Sequence, residues 1–332
     1  MEANSSTIKL ITTSVTIGFI GASIAYILWK VRNRNKIKPF IDVGKVKKIF
    51  IYPIKSLKPI ECDQVDVDDQ VVSKGQLKDR SFVLIDENNK FITQRQEPTL
   101  VLLDVELIDD RAIKITSPSK ESIEILLSLD LNEKTELEII QTRVWEDDVN
   151  GIDCGTEASQ FFSNYLNKPN IRLLRFVKGL IDHRPSQVYR NGAISKDSNI
   201  KIMYQDSAPV LIINDKSIDT LNDLLTDGQV SHSNFRPNIL IEAEAFDEDN
   251  WERLVIGETQ WQQLKKCTRC RMTTVNVETG VFMKEPMITL RKYRKPTGPD
   301  SGYHSPLMGV FFKPETRGII KVGDSIAASH KS

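Results

Sequence analysis

The 332-residue chain has no surplus of charge, because 45 basic side chains meet 45 acidic ones. Proteins that live on nucleic acid usually carry a basic excess, so that class is set aside. Cysteine is scarce, with four in the whole chain: Cys62, Cys154, Cys267 and Cys270. So few thiols over such a length do not make a disulfide scaffold. They suit a reducing compartment and leave metal ligation or reactivity as the reasons to examine each one. Histidine is equally sparse, and His183, His232, His304 and His330 are scattered far from one another. No internal repeat is present, which excludes solenoids and propellers.

Long apolar runs are also missing, with one exception. "LITTSVTIGFIGASIAYILW", from Leu10 to Trp29, has no charged residue and is bracketed by Lys9 and Lys30. As a helix it reaches roughly 30 Å, the thickness of a bilayer's hydrocarbon core. Tyr26 and Trp29 stand where interfacial aromatics are expected. A cleaved signal peptide is the competing reading, but its positive charge normally precedes the apolar run. Here Lys30, Arg32, Arg34, Lys36 and Lys38 come after it. The expectation is an uncleaved signal anchor spanning about 10–29, in contact with membrane lipid. The basic tether to residue 38 and the globular part then face the cytosol.

Short β-like runs dominate the rest of the chain. "VKKIFIY" reads as a strand over Val46–Tyr52 stopped by Pro53, and "RSFVLIDENNKFITQR" as a hairpin turning at Asn88-Asn89. Further strands are expected in "RAIKITS", "IRLLRF", "PNILIEA", "MTTVNV" and "GIIKVGDSIAA". Helical spacing recurs in "TEASQFFSNYLNKP", with Thr156 as its cap. It recurs again after "VLIIND", where Ile218, Leu221, Leu224 and Leu225 share a face. The fold class is therefore mainly β with some α (α+β), an antiparallel barrel or sandwich with helical decoration. A boundary falls in the polar "KGLIDHRPSQ", dividing a β-rich region of 39–175 from a second of 185–330.

Chemistry concentrates in "KKCTRCRMTTVN", where Cys267 and Cys270 are flanked by Lys265, Lys266, Arg269 and Arg271. A structural zinc site needs four ligands, and this is half of one. A thioredoxin-like couple opens a helix, whereas "RMTTVNV" is strand-like. Two half-buried structural thiols remain the plain alternative. Basic neighbours favour thiolate over thiol and also make an anion site. A solvated strand edge carrying lysines would have the same local sequence. The anion reading requires other polar groups to converge from distant segments. Candidates are Lys55 and Ser56 in "YPIKS", Arg80 in "KDRSFVLID", Asp206 and Ser207 in "QDSAPV", and Arg236 and Asn238 in "NFRPNI".

In chain order, "YPIKS", "DRSFVLID", "FITQR", "DCG", "NFRPNI", "CTRCRMTTVNVETG", "KEPMITLRKYR" and "GIIKVGD" resemble the MOSC-domain proteins, in particular the mitochondrial amidoxime reducing components. The resemblance runs from about residue 44 to 328. It implies a MOSC β-barrel behind an N-terminal MOSC-type region, binding molybdenum cofactor, a pterin with an ene-dithiolate and a phosphate. Cys270 matches the thiolate ligand to molybdenum, which suits a soft metal already held by sulfur. Lys55, Ser56, Arg80, Ser207, Arg236, Asn238, Thr268 and Arg269 match cofactor-binding positions, and Asp206 an acidic position beside the metal. Phe311 stands where the family often has tyrosine. The implied activity is reduction of amidoximes, N-hydroxyguanidines and hydroxylamines to amidines or amines. Electrons would come from NADH through cytochrome b5 reductase and cytochrome b5, at the outer mitochondrial membrane. Two alternatives stay open: a sulfur-transfer protein carrying a persulfide on Cys270, and a non-enzymatic cofactor carrier.

Overall fold

The computed structural model describes residues 39–331 apart from residue 69 and residues 130–136. The expected anchor at 10–29 and its tether lie outside the described residues. Among those described, no helix is long and apolar enough to cross a membrane.

Seven strands close on themselves into a barrel. Ile239–Glu242 pairs with Val210–Asn214, followed round the ring by Leu307–Pro314, Thr259–Thr268, Trp251–Ile256, Ser325–His330 and Ile41–Ile51. Ile41–Ile51 then returns to Ile239–Glu242. Every pairing is antiparallel except that of Val210–Asn214 with Ile239–Glu242. Parallel neighbours need a crossover connection, and the helices Asp215–Asn222 and His232–Phe235 lie in it.

Ile41–Ile51 makes closure possible by serving two neighbours in succession. Its first half pairs with the last strand through Ile41 and Ala328, its second with Ile239–Glu242 through Ile49 and Ile239. Register shifts at Asp42/Gly44 and Val46/Lys48 bend it between the two. Gly44 is required at the bend. Its φ is 149°, and a Cβ there would stand 1.9 Å from the Glu242 carbonyl oxygen.

Val210–Asn214 and Leu307–Pro314 are buried on both faces, which is why their sequences run apolar instead of alternating. Successive residues enter different cores. Ile49, Ile51, Ile212 and Phe312 pack in one, and Phe50, Tyr52, Leu211 and Phe311 in another. Around the barrel lie a sheet of Phe82–Ile85, Arg172–Arg175, Asp147–Asp153 and Ile139–Val144, and a hairpin of Arg184–Arg190 with Ala193–Ile202.

Several local expectations change. "MTTVNV" forms a 3-10 turn, Arg271–Thr274, instead of a strand. The hydroxyls cause it: Thr273 Oγ1 donates to the Cys270 carbonyl at 3.0 Å and Thr274 Oγ1 to that of Arg271 at 2.7 Å, curling the backbone. The Asn88-Asn89 turn exists, but Phe82–Ile85 pairs chiefly with Arg172–Arg175 and meets its expected partner over a short stretch, Ile85 against Phe91 with the Ile92 amide donating to the Leu84 carbonyl at 2.8 Å. The first helix covers Thr156–Leu166, yet Gly155 at φ 95° is its N-cap and no side chain caps it. The next stops at Asn222, so Leu224 and Leu225 lie beyond its face.

Candidate active site

Thr259–Thr268, the strand that leads into both cysteines, lies within the barrel wall and not at an edge. The lysines there guard no edge, and the four cations go separate ways. Lys265 and Arg269 are 3 % and 7 % exposed and border a cavity. Lys266 turns away to Asp300 at 2.6 Å. Arg271 lays its guanidinium 4.0 Å from the Phe282 ring centroid. The thiols also divide. Cys267 touches the cavity border too, but packs in the core with Phe50 and Phe311, where burial pushes its pKa up. Cys270 is half-buried, and the two are not bonded to each other.

The cavity has a volume of about 290 Å³. All ten residues singled out from the sequence border it: Lys55, Ser56, Arg80, Asp206, Ser207, Arg236, Asn238, Thr268, Arg269 and Cys270. Three of them hold left-handed backbone without being glycine, Ser56 at φ 78°, Arg80 at 49° and Arg236 at 58°. Each such residue costs about 1–2 kcal/mol, so surrounding bonds must impose it. For Arg236 the cause is visible. It ends the short helix His232–Phe235, whose capping box joins Ser231 and Asn234. Asn234 Nδ2 also donates to the carbonyls of Thr273 and Val275, fastening that helix to the turn after Cys270.

Asp79, fully buried, organises the wall behind the cavity. Its carboxylate accepts from the Tyr52 amide at 3.0 Å, Asn238 Nδ2 at 2.8 Å and Arg80 Nη1 at 2.8 Å. Asn238 is thereby fully engaged, since Nδ2 also donates to the Phe50 carbonyl and Oδ1 accepts from the Leu211 amide. It shapes the wall and has no donor left for a ligand. Arg80 and Arg236 each place a guanidinium carbon within 4.3 Å of the Tyr52 ring centroid.

Among the described residues, six cations border the cavity (Lys55, Arg80, Arg95, Arg236, Lys265 and Arg269) against one acid, Asp206. That balance selects an anion. Burial lowers Lys55 to about 8, although its contact with Asp206 opposes the change. Burial would raise Asp206, but Lys55, Arg95 and Arg80 overrule it and hold the carboxylate well below its ordinary range. Burial also lowers Arg236, to about 10. Arg236 Nη2 and Arg269 Nη2 are buried with no hydrogen-bond partner among the described residues. Unmatched buried donors of this kind are expensive, and guanidiniums suit an anion such as phosphate.

Sequence reasoning passed over three residues. Arg95 directs Nε at Cys270 Sγ across 3.2 Å. Trp145 donates from Nε1 to Asp206 Oδ1 at 3.1 Å and stacks on the Arg95 guanidinium at 4.3 Å. Asp79 is the third. Arg95 ends the motif "FITQR" and Asp79 opens "DRSFVLID", so a signal existed for both; nothing near Trp145 marked it. Among the described residues, no three His, Cys, Asp or Glu side chains cluster as a metal cage would need.

Residues 43–169 match the MOSC N-terminal beta barrel domain and residues 199–327 the MOSC domain. The chain is 34 % identical over 302 residues to mitochondrial amidoxime reducing component 2 of Bos taurus, covering 90 % of this chain and 87 % of that one. It is 32 % identical over 321 residues to mitochondrial amidoxime-reducing component 1 of Homo sapiens, covering 95 % and 90 %. The Danio rerio component 1 is 31 % identical over 323 residues, covering 96 % and 94 %. The protein belongs to the MOSC-domain family, alongside the amidoxime reducing components.

Proposed function

We propose that this protein is a molybdenum-cofactor reductase of N-hydroxylated compounds, taking amidoximes, N-hydroxyguanidines and hydroxylamines to amidines or amines. The observation that carries the reading is one cavity with a half-buried thiol, Cys270, on its border and two buried guanidiniums with unmatched donors, Arg236 and Arg269. The donor set fits the implied group. Arg236, Arg269, Lys55 and Lys265 suit its phosphate and polar pterin edge, and the Cys270 thiolate suits a soft metal. When bound, that cofactor supplies the two-electron chemistry that breaking an N–O bond needs.

The chain's own residues would then divide the remaining work. Asp206, held ionised, accepts a hydrogen bond from a substrate N–H and orients it. Lys55, with its pKa near 8, can hold or release a proton at Nζ at the same place. Arg95 fixes the position of the Cys270 sulfur. The curated relatives carry the word mitochondrial in their names. On that ground, with the apolar run 10–29, the proposed location is the outer mitochondrial membrane with the globular part in the cytosol. Cytochrome b5 and its NADH-dependent reductase are the proposed electron source. Confining both partners to one membrane raises their effective concentration.

The test is metal analysis of the full chain in detergent, then NADH-dependent reduction of benzamidoxime with the reductase and cytochrome b5 added. One molybdenum per chain with turnover supports the proposal. Full loading without turnover points to a cofactor carrier, a persulfide on Cys270 to sulfur transfer, and zinc in place of molybdenum overturns it.

A further inference from the structure

Trp145 occupies a position that a tryptophan should avoid. It and Glu146 form a two-residue hairpin turn, closed by the pair Val144 and Asp147. Its φ is 59°, in the place where such turns ordinarily put glycine, asparagine or aspartate. It is also 38 % exposed, so burial does not account for a large ring being there. The turn is firmly held. Asp147 takes Arg184 at 3.0 Å, and Thr142 Oγ1 donates to the Asn89 carbonyl at 2.6 Å.

The side chain on that unusual backbone borders the cavity. Its Nε1 donates to Asp206, the Arg95 guanidinium lies against it, and Phe91 meets it edge-on at 5.1 Å between centroids. The ring is thus locked in orientation while part of its surface stays open. A backbone outlier kept at a cavity, with a residue type the turn does not favour, points to a use for that side chain. The use consistent with a fixed, partly open indole beside the acid that orients the substrate is to receive the flat part of that substrate.

We infer that Trp145 is a specificity-determining residue, presenting an aromatic wall on which the planar aryl group of an N-hydroxylated substrate stacks. The inference rests on the proposed reductase activity. An aryl amidoxime can lie along the indole while its polar end reaches Asp206; a small non-aromatic N-hydroxy compound gains nothing from the wall. Aromatic contacts of this kind change affinity about threefold to tenfold.

The experiment compares the parent full chain with Trp145→Asn and Trp145→Phe. Three quantities are read: turnover of benzamidoxime and of N-hydroxyurea with reduced methyl viologen as donor, binding of benzamidine by titration calorimetry, and thermal midpoint. Asparagine tolerates the left-handed backbone, so its midpoint should equal or exceed the parent's. Its ratio of kcat/KM for benzamidoxime over N-hydroxyurea should fall about threefold to tenfold, through KM, with a matching loss of benzamidine binding. Phenylalanine should keep most of that ratio. An unchanged ratio, or equal losses on both substrates, overturns the inference while leaving the reductase activity intact. Absence of turnover by the loaded parent on either compound overturns the reductase proposal itself.

Discussion

Arg95 and Cys270, 175 residues apart in the chain, meet at 3.2 Å between Nε and Sγ. One comes from the turn at residues 94–96, beyond the Asn88-Asn89 turn, the other from just past the barrel strand Thr259–Thr268, so the contact ties a peripheral loop to the barrel. A hydrogen bond to a charged partner contributes about 1.5–3 kcal/mol. Arg95→Leu should therefore lower turnover per bound molybdenum by roughly tenfold or more, with a smaller loss of metal content. Metal analysis beside steady-state kinetics checks this, and an unchanged rate contradicts it.

The two cysteines should behave differently despite being three positions apart. Cys270→Ala is expected to abolish reduction, whereas Cys267→Ala, which removes one sulfur from a packed apolar core, should retain most of it. The cost of the second change is about 1 kcal/mol of stability. Equal losses of activity would contradict the assignment of Cys270 as ligand.

At Arg236, backbone and side chain can be separated. Its φ of 58° favours glycine, and its guanidinium is buried with an unmatched Nη2. Arg236→Gly should leave the cofactor-free protein at least as stable as the parent, while lowering molybdenum content several-fold. Comparing urea midpoints of cofactor-free protein with metal per chain decides the matter. A large loss of stability in the cofactor-free form would show that the side chain is structural.

Asp79 is the anionic centre of a buried network with Tyr52, Arg80 and Asn238. Asp79→Asn leaves the Arg80 guanidinium without its counter-charge, and breaking such a pair costs about 3–5 kcal/mol. Denaturant unfolding should register the loss. A change under about 1 kcal/mol would mean that Arg80 finds another partner.

Glu248 offers a pH test remote from the cavity. It is fully buried against Ser217, and burial with the neighbouring Asp249 pushes its pKa from 4.5 to about 7. The folded state then holds a proton that the unfolded state gives up. Stability from this group is complete below pH 4.5, declines through the window and is gone above 7. Glu248→Gln should exceed the parent by about 3 kcal/mol at pH 8 and match it near pH 4.5. A difference independent of pH would contradict the assignment.

Much of this architecture is written locally. Apolar runs that stay apolar on both faces foretell strands such as Val210–Asn214, buried on each side. The spacing in "TEASQFFSNYL" and the αL-tolerant Asn167 bound a helix at Thr156–Leu166. Cys270, Arg236, Arg269 and Lys55 drew attention as charged or reactive side chains beside prolines and strand ends, and all four border the cavity. Such features depend on neighbours within a few residues, so the chain states them in its own order.

Other features depend on what distant segments bring. Whether Lys265 guards an edge or faces a cavity turned on the strand having a neighbour on each side, a matter of barrel closure. Asn238 reads as a polar ligand until Asp79, Phe50 and Leu211 consume its hydrogen bonds. Trp145 is an unremarked residue in a turn until folding sets it on Arg95 and Asp206. Composition and spacing decided which elements form and which side chains carry charge or sulfur. Only the folded chain decided which of those groups share a low-dielectric space, because burial and pairing belong to an environment and not to a residue.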